Sequence, residues 1–304
     1  MPKHPSTQHG NGSNLANLNQ ERTASQCVCC GSVKLDSAPA ILMPFVAHRI
    51  FGWAPVVIDE SWGLKTISNG TAYTICKSLY CLDCGFLFLD MRFSDKELDA
   101  LYTGYRDQAY TDLRESYEPG YTKRNDFLKS GIPYIEEIEQ FLAPHVQLPV
   151  SILDWGGDTG KNTPFKSNNT SIDIYDISNK AVLPGASIVN KEEAFLKQYD
   201  LVVCCNVLEH VPYPAIIIED IKHTMNARSV LYIEVPYEDL MRTTSTNPHL
   251  KKKHWHEHIN FFSEQSLIQL MQNCGLEVLA INKLCTEKKT HSAYVFQLAC
   301  QLKK

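Results

Sequence analysis

After Pro149 the chain alternates short apolar runs with longer amphipathic stretches. Ile152-Leu153, Ile172-Asp173-Ile174-Tyr175, Leu201-Val202-Val203-Cys204-Cys205 and Val230-Leu231-Tyr232-Ile233 are compact apolar runs set apart by polar segments. Runs of this kind read as strands buried on both faces of a parallel sheet. Between them, Pro214 to Met225 and Ser263 to Cys274 carry apolar residues at helical spacing, the second with Ser263 as cap and Gly275 as terminator. Strand and helix alternate, which predicts an α/β, Rossmann-like doubly wound sheet. Val278 to Ile281 and Ala293 to Leu298 are expected as two antiparallel strands at its edge.

Ahead of Pro149 the pattern is different, and it divides the chain into four parts. Residues 1–26 are polar and offer little to bury, so they are expected as a disordered tail. Residues 27–92 are punctuated by Gly and Pro and read as a small β-rich module, with strands around Val56-Val57-Ile58 and Tyr73-Thr74-Ile75. Within it, Met43-Pro44-Phe45 and Phe51-Gly52-Trp53 are expected in the core, with a substrate mouth as the other reading. Residues 93–148 are expected as a helical linker or lid, starting at a capping box of Ser94 and Glu97 and continuing in a second helix from about Lys123 to Leu142. Residues 149–304 form the α/β domain.

Composition narrows the function. A net charge of -5 over 304 residues lacks the basic excess needed to follow a phosphate backbone, which argues against a nucleic-acid partner. No apolar run approaches the about 20 residues that span a bilayer, and residues 1–26 have no apolar signal core, so a cytoplasmic protein is expected. In that compartment the eleven cysteines stay reduced, and their spacing is read as metal or core.

Cys27-Val28-Cys29-Cys30-Gly31 and Cys81-Leu82-Asp83-Cys84-Gly85 each hold a Cys-x-x-Cys followed by glycine. The two pairs predict a four-cysteine Zn2+ site made by Cys27, Cys30, Cys81 and Cys84, structural because a site filled by four thiolates has no open position. The glycines allow the tight turns that aim amides at sulfur. Cys29 is an alternative ligand if the first knuckle has another register, and Cys76 is left over.

A second constellation starts at Ser151-Ile152-Leu153-Asp154-Trp155-Gly156-Gly157-Asp158-Thr159-Gly160, a strand entering a glycine-rich turn. Glycines there let the backbone pass close to a ligand, and Asp154 ends the strand where a carboxylate meets a cation or hydroxyl. Asp176 ends the next strand, where such folds hold ribose hydroxyls. These features fit a nicotinamide dinucleotide as well as S-adenosylmethionine. The third strand, Tyr199 to Cys205, runs into Asn206-Val207-Leu208-Glu209-His210-Val211, and with Ile233-Glu234-Val235-Pro236 after the next strand the region from about 150 to 280 resembles the class I methyltransferases. That resemblance implies S-adenosyl-L-methionine as cofactor. It implies Asp154, Gly156, Gly157 and Gly160 around its methionine and ribose part, Asp176 on the ribose, and Asn206, Leu208 and Glu209 beside the sulfonium. Asp158 departs from the glycine of many relatives, and the segment from Lys161 to Asn169, interrupted by Pro164, leaves room for only a turn or two of helix.

Finally, His254-Trp255-His256-Glu257-His258-Ile259-Asn260-Phe261-Phe262-Ser263 sets three histidines and a carboxylate before a helix. Imidazole exchanges protons near neutral pH and an adjacent carboxylate can orient it. His256 and His258 binding an ion is the rival reading, and a structural role a third. A zinc module joined to this core resembles the sugar C-methyltransferases acting on nucleotide-linked deoxysugars, although this chain stops soon after the core, where those enzymes continue into a further carboxy-terminal domain. The resemblance implies Glu257 and His258 as catalytic residues and a small-molecule or glycan acceptor, methylated on carbon or oxygen. Tyr105, Tyr110 and Tyr121 are candidates for closing over the site from the linker. The alternative is a protein-binding module that keeps the fold without catalysis.

Overall fold

The structure, a computed structural model, describes residues 21–53, 75–128, 131–166, 171–178, 180–243, 246–286 and 293–303. The strands expected around Val56-Val57-Ile58 and Tyr73-Thr74 lie outside the described residues, as does residues 1–20 of the expected tail.

The amino-terminal part is built from β1 (Leu35–Leu42), α1 (Pro44–Phe51), β2 (Cys76–Cys81) and β3 (Leu87–Leu89), with the three strands paired antiparallel in sequence order. Pro44 opens α1, where its missing amide costs nothing, and Gly52 closes it in the left-handed region. Phe45 is buried and packs edge-on against Tyr110, as the core reading expected, whereas Trp53 is 52% exposed. The end of the expected tail is a correction. Residues 21–26 dock on this sheet: the Ala24 amide donates to the Asp90 carbonyl at 2.8 Å and Thr23 bridges Met91, giving partners to backbone groups at the end of β3.

The linker is helical, as α2 (Asp95–Tyr102), α3 (Gln108–Tyr117), α4 (Tyr121–Leu128) and α5 (Ile135–Leu142). Ser94 and Glu97 form the expected capping box on α2. The single helix expected from Lys123 to Leu142 is instead two, because Gly131 turns in the left-handed region and Pro133 follows it.

The α/β part then runs β4 (Ser151–Trp155), β5 (Ser171–Tyr175), β6 (Ala186–Ile188), α6 (Lys191–Phe195), β7 (Tyr199–Cys205), α7 (Pro214–Lys222) and β8 (Met225–Pro236). After these come α8 (Asp239–Thr243), α9 (Pro248–Lys251), β9 (His254–Trp255), β10 (Asn260–Phe261), α10 (Glu264–Asn273), β11 (Leu276–Thr286) and β12 (Ala293–Leu302). Seven strands form one sheet in the order β11-β12-β8-β7-β4-β5-β6, parallel from β6 to β8 and antiparallel at β12 and β11. Ile152, Leu153, Leu201, Val202 and Ile233 are wholly buried within it, which explains the uninterrupted apolar runs. Met225, expected to end α7, opens β8. The chain goes outward from β4 to β6 and returns to β7 on the other side of β4, so the sheet has its topological switch point between β4 and β7.

The smaller sheet has the order β10-β3-β2-β1-β9. Its outer strands come from the other end of the chain, β9 parallel to β1 and β10 antiparallel to β3, so a module bounded by residues 27–92 is corrected to one that residues 254–261 complete. The added strands cover both edges, and Trp255 is buried with its indole N–H donating to Ser78 Oγ at 2.8 Å. Among the described residues no helix is long and apolar enough to cross a membrane.

Candidate functional site

At the switch point the loop after β4 meets the loop after β7. Gly156 and Gly160 have φ of 81° and 74°, and the Gly156 amide donates to the Tyr175 carbonyl at 2.7 Å. A Cβ on Gly156 would lie 2.4 Å from Val207 Cγ2, and one on Gly157 would lie 2.6 Å from Asp154 Cγ. Gly156 is therefore required by the close approach of the two loops and Gly157 by the tight turn of the chain over Asp154. Asp154 is buried and accepts from Thr163 Oγ1 at 2.5 Å, and burial pushes its carboxyl up to about 6.

Asp176, at the end of β5, accepts from the Asp158 amide at 2.9 Å and from the Ser178 amide at 2.8 Å, one bond to each oxygen. Each oxygen keeps a further lone pair. Asp158 itself is in the left-handed region and pairs with Lys180 at 2.9 Å. A cleft of about 160 Å³ lies alongside, between Tyr102, Thr103 and Gly104 of the linker and Ile177 and Ser178. Among the described residues Lys161 to Lys166 form turns and no helix, in keeping with the interruption at Pro164.

The three residues expected beside the sulfonium separate. Asn206, in the left-handed region, is exposed at the crevice and its amide donates to the Glu234 carbonyl at 2.9 Å. Leu208 is wholly buried in the main core. Glu209 is buried beneath two histidines, His210 and His258, whose rings meet edge to face at 4.6 Å between centroids. Neither carboxylate oxygen of Glu209 has a hydrogen-bond partner, and burial pushes its carboxyl up to about 7.

The histidine strip is sorted by its partners. Glu257 does not face His258: both its oxygens accept from Arg114 Nη2, at 2.8 and 2.9 Å, and Arg114 holds the carboxyl down to about 2 against the cost of burial. The carboxylate bonded to His258 is Glu238, which accepts from Nδ1 at 2.8 Å and, despite burial, helps raise His258 to about 8. His256 lies 3.6 Å from Glu118, and His254 is exposed. His256 and His258 thus do not share a site. Nδ1 of His210 lies 3.1 Å from the Glu257 carbonyl and 2.8 Å from Tyr102 OH, and burial pushes the ring down to about 3.

Asn260 ties this strip to the β7 loop. Its amide nitrogen donates to the carbonyls of Leu208 and Val211 at 2.8 and 2.6 Å, while its oxygen accepts from the buried Arg92 at 3.1 and 3.2 Å. The amides of Ile259 and Asn260 both donate to the Glu209 carbonyl. The sequence carries no signal for Asn260, Arg114 and Tyr102, whose partners Arg92, Glu257 and His210 are more than 100 positions away, or for Glu238, which reaches His258 across the turn and short helices after β8. His210, by contrast, adjoins Glu209 in the run that was singled out. Of the linker tyrosines, Tyr110 and Tyr121 are buried, and Tyr105 packs edge-on against Tyr102 and Tyr110.

The four expected cysteines come together. Cys27 and Cys84 have their sulfurs 3.6 Å apart, Cys30 and Cys81 theirs 3.5 Å apart, and all four sulfurs lie within 4.8 Å of one another. Four thiolates at about 2.3 Å from one ion have sulfurs about 3.8 Å apart, so this donor set fits tetrahedral Zn2+. The Gly31 and Gly85 amides donate to the carbonyls of Cys27 and Cys81, closing the two knuckles. Neither Cys29 nor Cys76 is in this cluster.

A methyltransferase-domain family model matches residues 127–281, just over half of the chain. None of the curated proteins matches. Among solved structures, the chain is similar to a S-adenosylmethionine-dependent methyltransferase of Methanosarcina mazei, with 18% identity, 54% of this chain and 97% of that one covered, and a TM-score of 0.41. It is similar to the 1,6-didemethyltoxoflavin N1-methyltransferase of Burkholderia thailandensis, solved with S-adenosylhomocysteine, with 13% identity, 63% and 88% coverage and a TM-score of 0.46. A third is the magnesium protoporphyrin IX methyltransferase of Synechocystis, with 11% identity, 66% and 97% coverage and a TM-score of 0.43.

Proposed function

The chain belongs to the methyltransferase-domain family and is an S-adenosylmethionine-dependent methyltransferase, and from that premise we propose that its acceptor is a saccharide-like or other small molecule, methylated on oxygen or carbon with histidine-assisted proton removal. The observation that carries this reading is the meeting, at one switch point, of the glycine turn after β4, Asp176, and the buried Glu209 with the half-buried His210 and His258. Open α/β sheets hold their ligands there.

On this reading Gly156, Gly157 and Gly160 let the cofactor lie against the backbone, Asp154 and Asp176 hold its polar groups, and Asn206 lines the crevice. The bound cofactor supplies an electrophilic methyl group on sulfur. What remains for the chain is to aim the acceptor atom along the line of displacement and to help its proton leave. His258, held at Nδ1 by Glu238, presents Nε2 for that task. A four-cysteine Zn2+ site is part of the same proposal, as a structural element.

Nucleotide sugars, glycans and small hydroxylated metabolites incubated with cofactor and the protein should reveal, by mass spectrometry, an acceptor that gains one methyl group. With that acceptor, His258→Ala should lower turnover by about 10²–10⁴-fold while cofactor affinity measured by calorimetry stays nearly unchanged. Normal turnover in the variant would remove His258 from the mechanism.

A further inference from the structure

We propose that Glu209, His210 and His258 hold a divalent cation through one carboxylate oxygen and two Nε2 atoms, with its open positions taken by an oxygen of the methyl acceptor. The binding of the cation stands on the geometry alone; its meeting with the acceptor rests on the acceptor site proposed above, with the cation taking over from His258 Nε2 the task of easing loss of the acceptor's proton, since one lone pair cannot serve both.

Three observations converge. The donor atoms of these residues all lie within 4.8 Å of one another, with His210 Nε2 3.8 Å from Glu209 Oε1. Ligands about 2.1 Å from a shared ion lie about 3–3.5 Å apart, so small side-chain adjustments complete the site. Glu209 is 1% exposed with both carboxylate oxygens unpartnered. A buried carboxylate in that state needs a proton or a cation. The nearby Arg114 is engaged by Glu257 and Glu118.

The third observation is how the two rings are held. A metal-ligating histidine commonly donates its other N–H to a carboxylate or a backbone carbonyl, which fixes the ring and exposes the ligating nitrogen. His258 does this with the Glu238 carboxylate and His210 with the Glu257 carbonyl, both through Nδ1. Tyr102 OH meets the same Nδ1 of His210 at 2.8 Å; in the tautomer that donates from Nδ1 to the Glu257 carbonyl and to Tyr102, Nε2 bears the lone pair, and that is the tautomer the cation would select. His210 Nε2 lies 3.8 Å from the orphaned carboxylate, and a ring nitrogen of His258 lies within 4.8 Å of both. Two imidazoles and one carboxylate leave positions open for further ligands and suit Mn2+, Fe2+, Co2+ or Zn2+ better than a site of oxygens alone would.

Mn2+ is the probe, since the four thiolates of the cysteine centre favour softer ions. Electron paramagnetic resonance on the purified full chain titrated with Mn2+ should show one bound ion per chain. Glu209→Gln and His258→Gln, checked for folding by circular dichroism, should each abolish or greatly weaken that binding. Glu238→Gln, which alters only the support of the ring, should weaken it by about 10–100-fold. No Mn2+ or Co2+ uptake by the parent protein outside the cysteine centre, or uptake indifferent to Glu209→Gln and His258→Gln, overturns the site. Activity separates this from the functional reading. Methyl transfer that survives chelation yet is lost in His258→Ala refutes the cation's role and keeps histidine as the base. A bound ion lost in Glu209→Gln, with no acceptor methylated, supports the cation site and refutes the acceptor assignment.

Discussion

Arg114 is 2% exposed, and its guanidinium has two carboxylates, Glu257 and Glu118, and the faces of Phe45 and Tyr121 around it. Removing the charge of Glu257 would leave a buried cation half-compensated, which costs about 3–5 kcal/mol for a fully buried pair. Because Glu118 remains, Glu257→Gln should destabilise the fold by about 3 kcal/mol, the lower end; urea unfolding that shows less than about 1 kcal/mol would refute a structural role for the pair. Asp154 is the opposite case, a buried carboxyl raised to about 6 by desolvation. Between the unfolded pKa near 3.8 and about 6 the folded state holds the proton that the unfolded state has lost, so stability falls as pH rises through that window and stays low above it. Asp154→Asn should therefore stabilise the cofactor-free protein at pH 7, by on the order of 3 kcal/mol before loss of the Thr163 bond is deducted. The gain should shrink toward zero at pH 4, and a gain independent of pH would show that the carboxyl is not raised.

At the scale of elements, β5 delivers Asp176 to the crevice and the following turn anchors it through the amides of Asp158 and Ser178. Asp176→Ala should weaken cofactor binding by about 1.5–3 kcal/mol through loss of charge-assisted bonds, with the fold retained; unchanged affinity by calorimetry would move the ribose contact elsewhere. Asp173 is a poor substitute, since Lys197 and Tyr199 already occupy its carboxylate. Strands β4, β7 and β8 were legible because their central residues are buried on both faces, which leaves an unbroken apolar run, and β5 because Ile172 and Ile174 alternate with less buried positions. β1 was not, since only Ala38 and Ala40 of its eight residues are buried and Pro39 interrupts it. β9 and β10 have two residues each and exist through pairing with strands far away in the chain, His254 with Ile41 and Asn260 with Phe88, so they leave no periodicity to read. The partners in the site are likewise not neighbours in sequence: Glu257 and His258 are adjacent, yet Arg114, from the linker, and Glu238, from the turn after β8, claim them separately.

Across the whole molecule, the cysteine centre and the candidate active site are joined through α10 and β10. Ser263 caps α10 and donates from Oγ to the Cys84 carbonyl at 2.8 Å, Gln265 donates to the Asp83 carbonyl, and Asn273 donates to the Cys29 carbonyl. Both knuckles are thus fastened to the helix that follows the histidine strip. Between His258 and that helix, β10 pairs with β3, which leads directly away from the second knuckle. The glycine turn and Asp176, in contrast, are held by bonds within the large sheet and its loops. Replacing Cys81 and Cys84 with serine should remove zinc and loosen the anchorage of α10 and β10, and with it the placement of His258, before it disturbs the cofactor crevice. The expected result is zinc loss by metal analysis and turnover reduced by about 10-fold or more, an alignment penalty of about 1.4 kcal/mol, with cofactor affinity nearly unchanged. Full zinc occupancy in the double variant would rule out this ligand set, and an equal loss of cofactor affinity and turnover would show that the centre supports the whole domain and does not act through the strip.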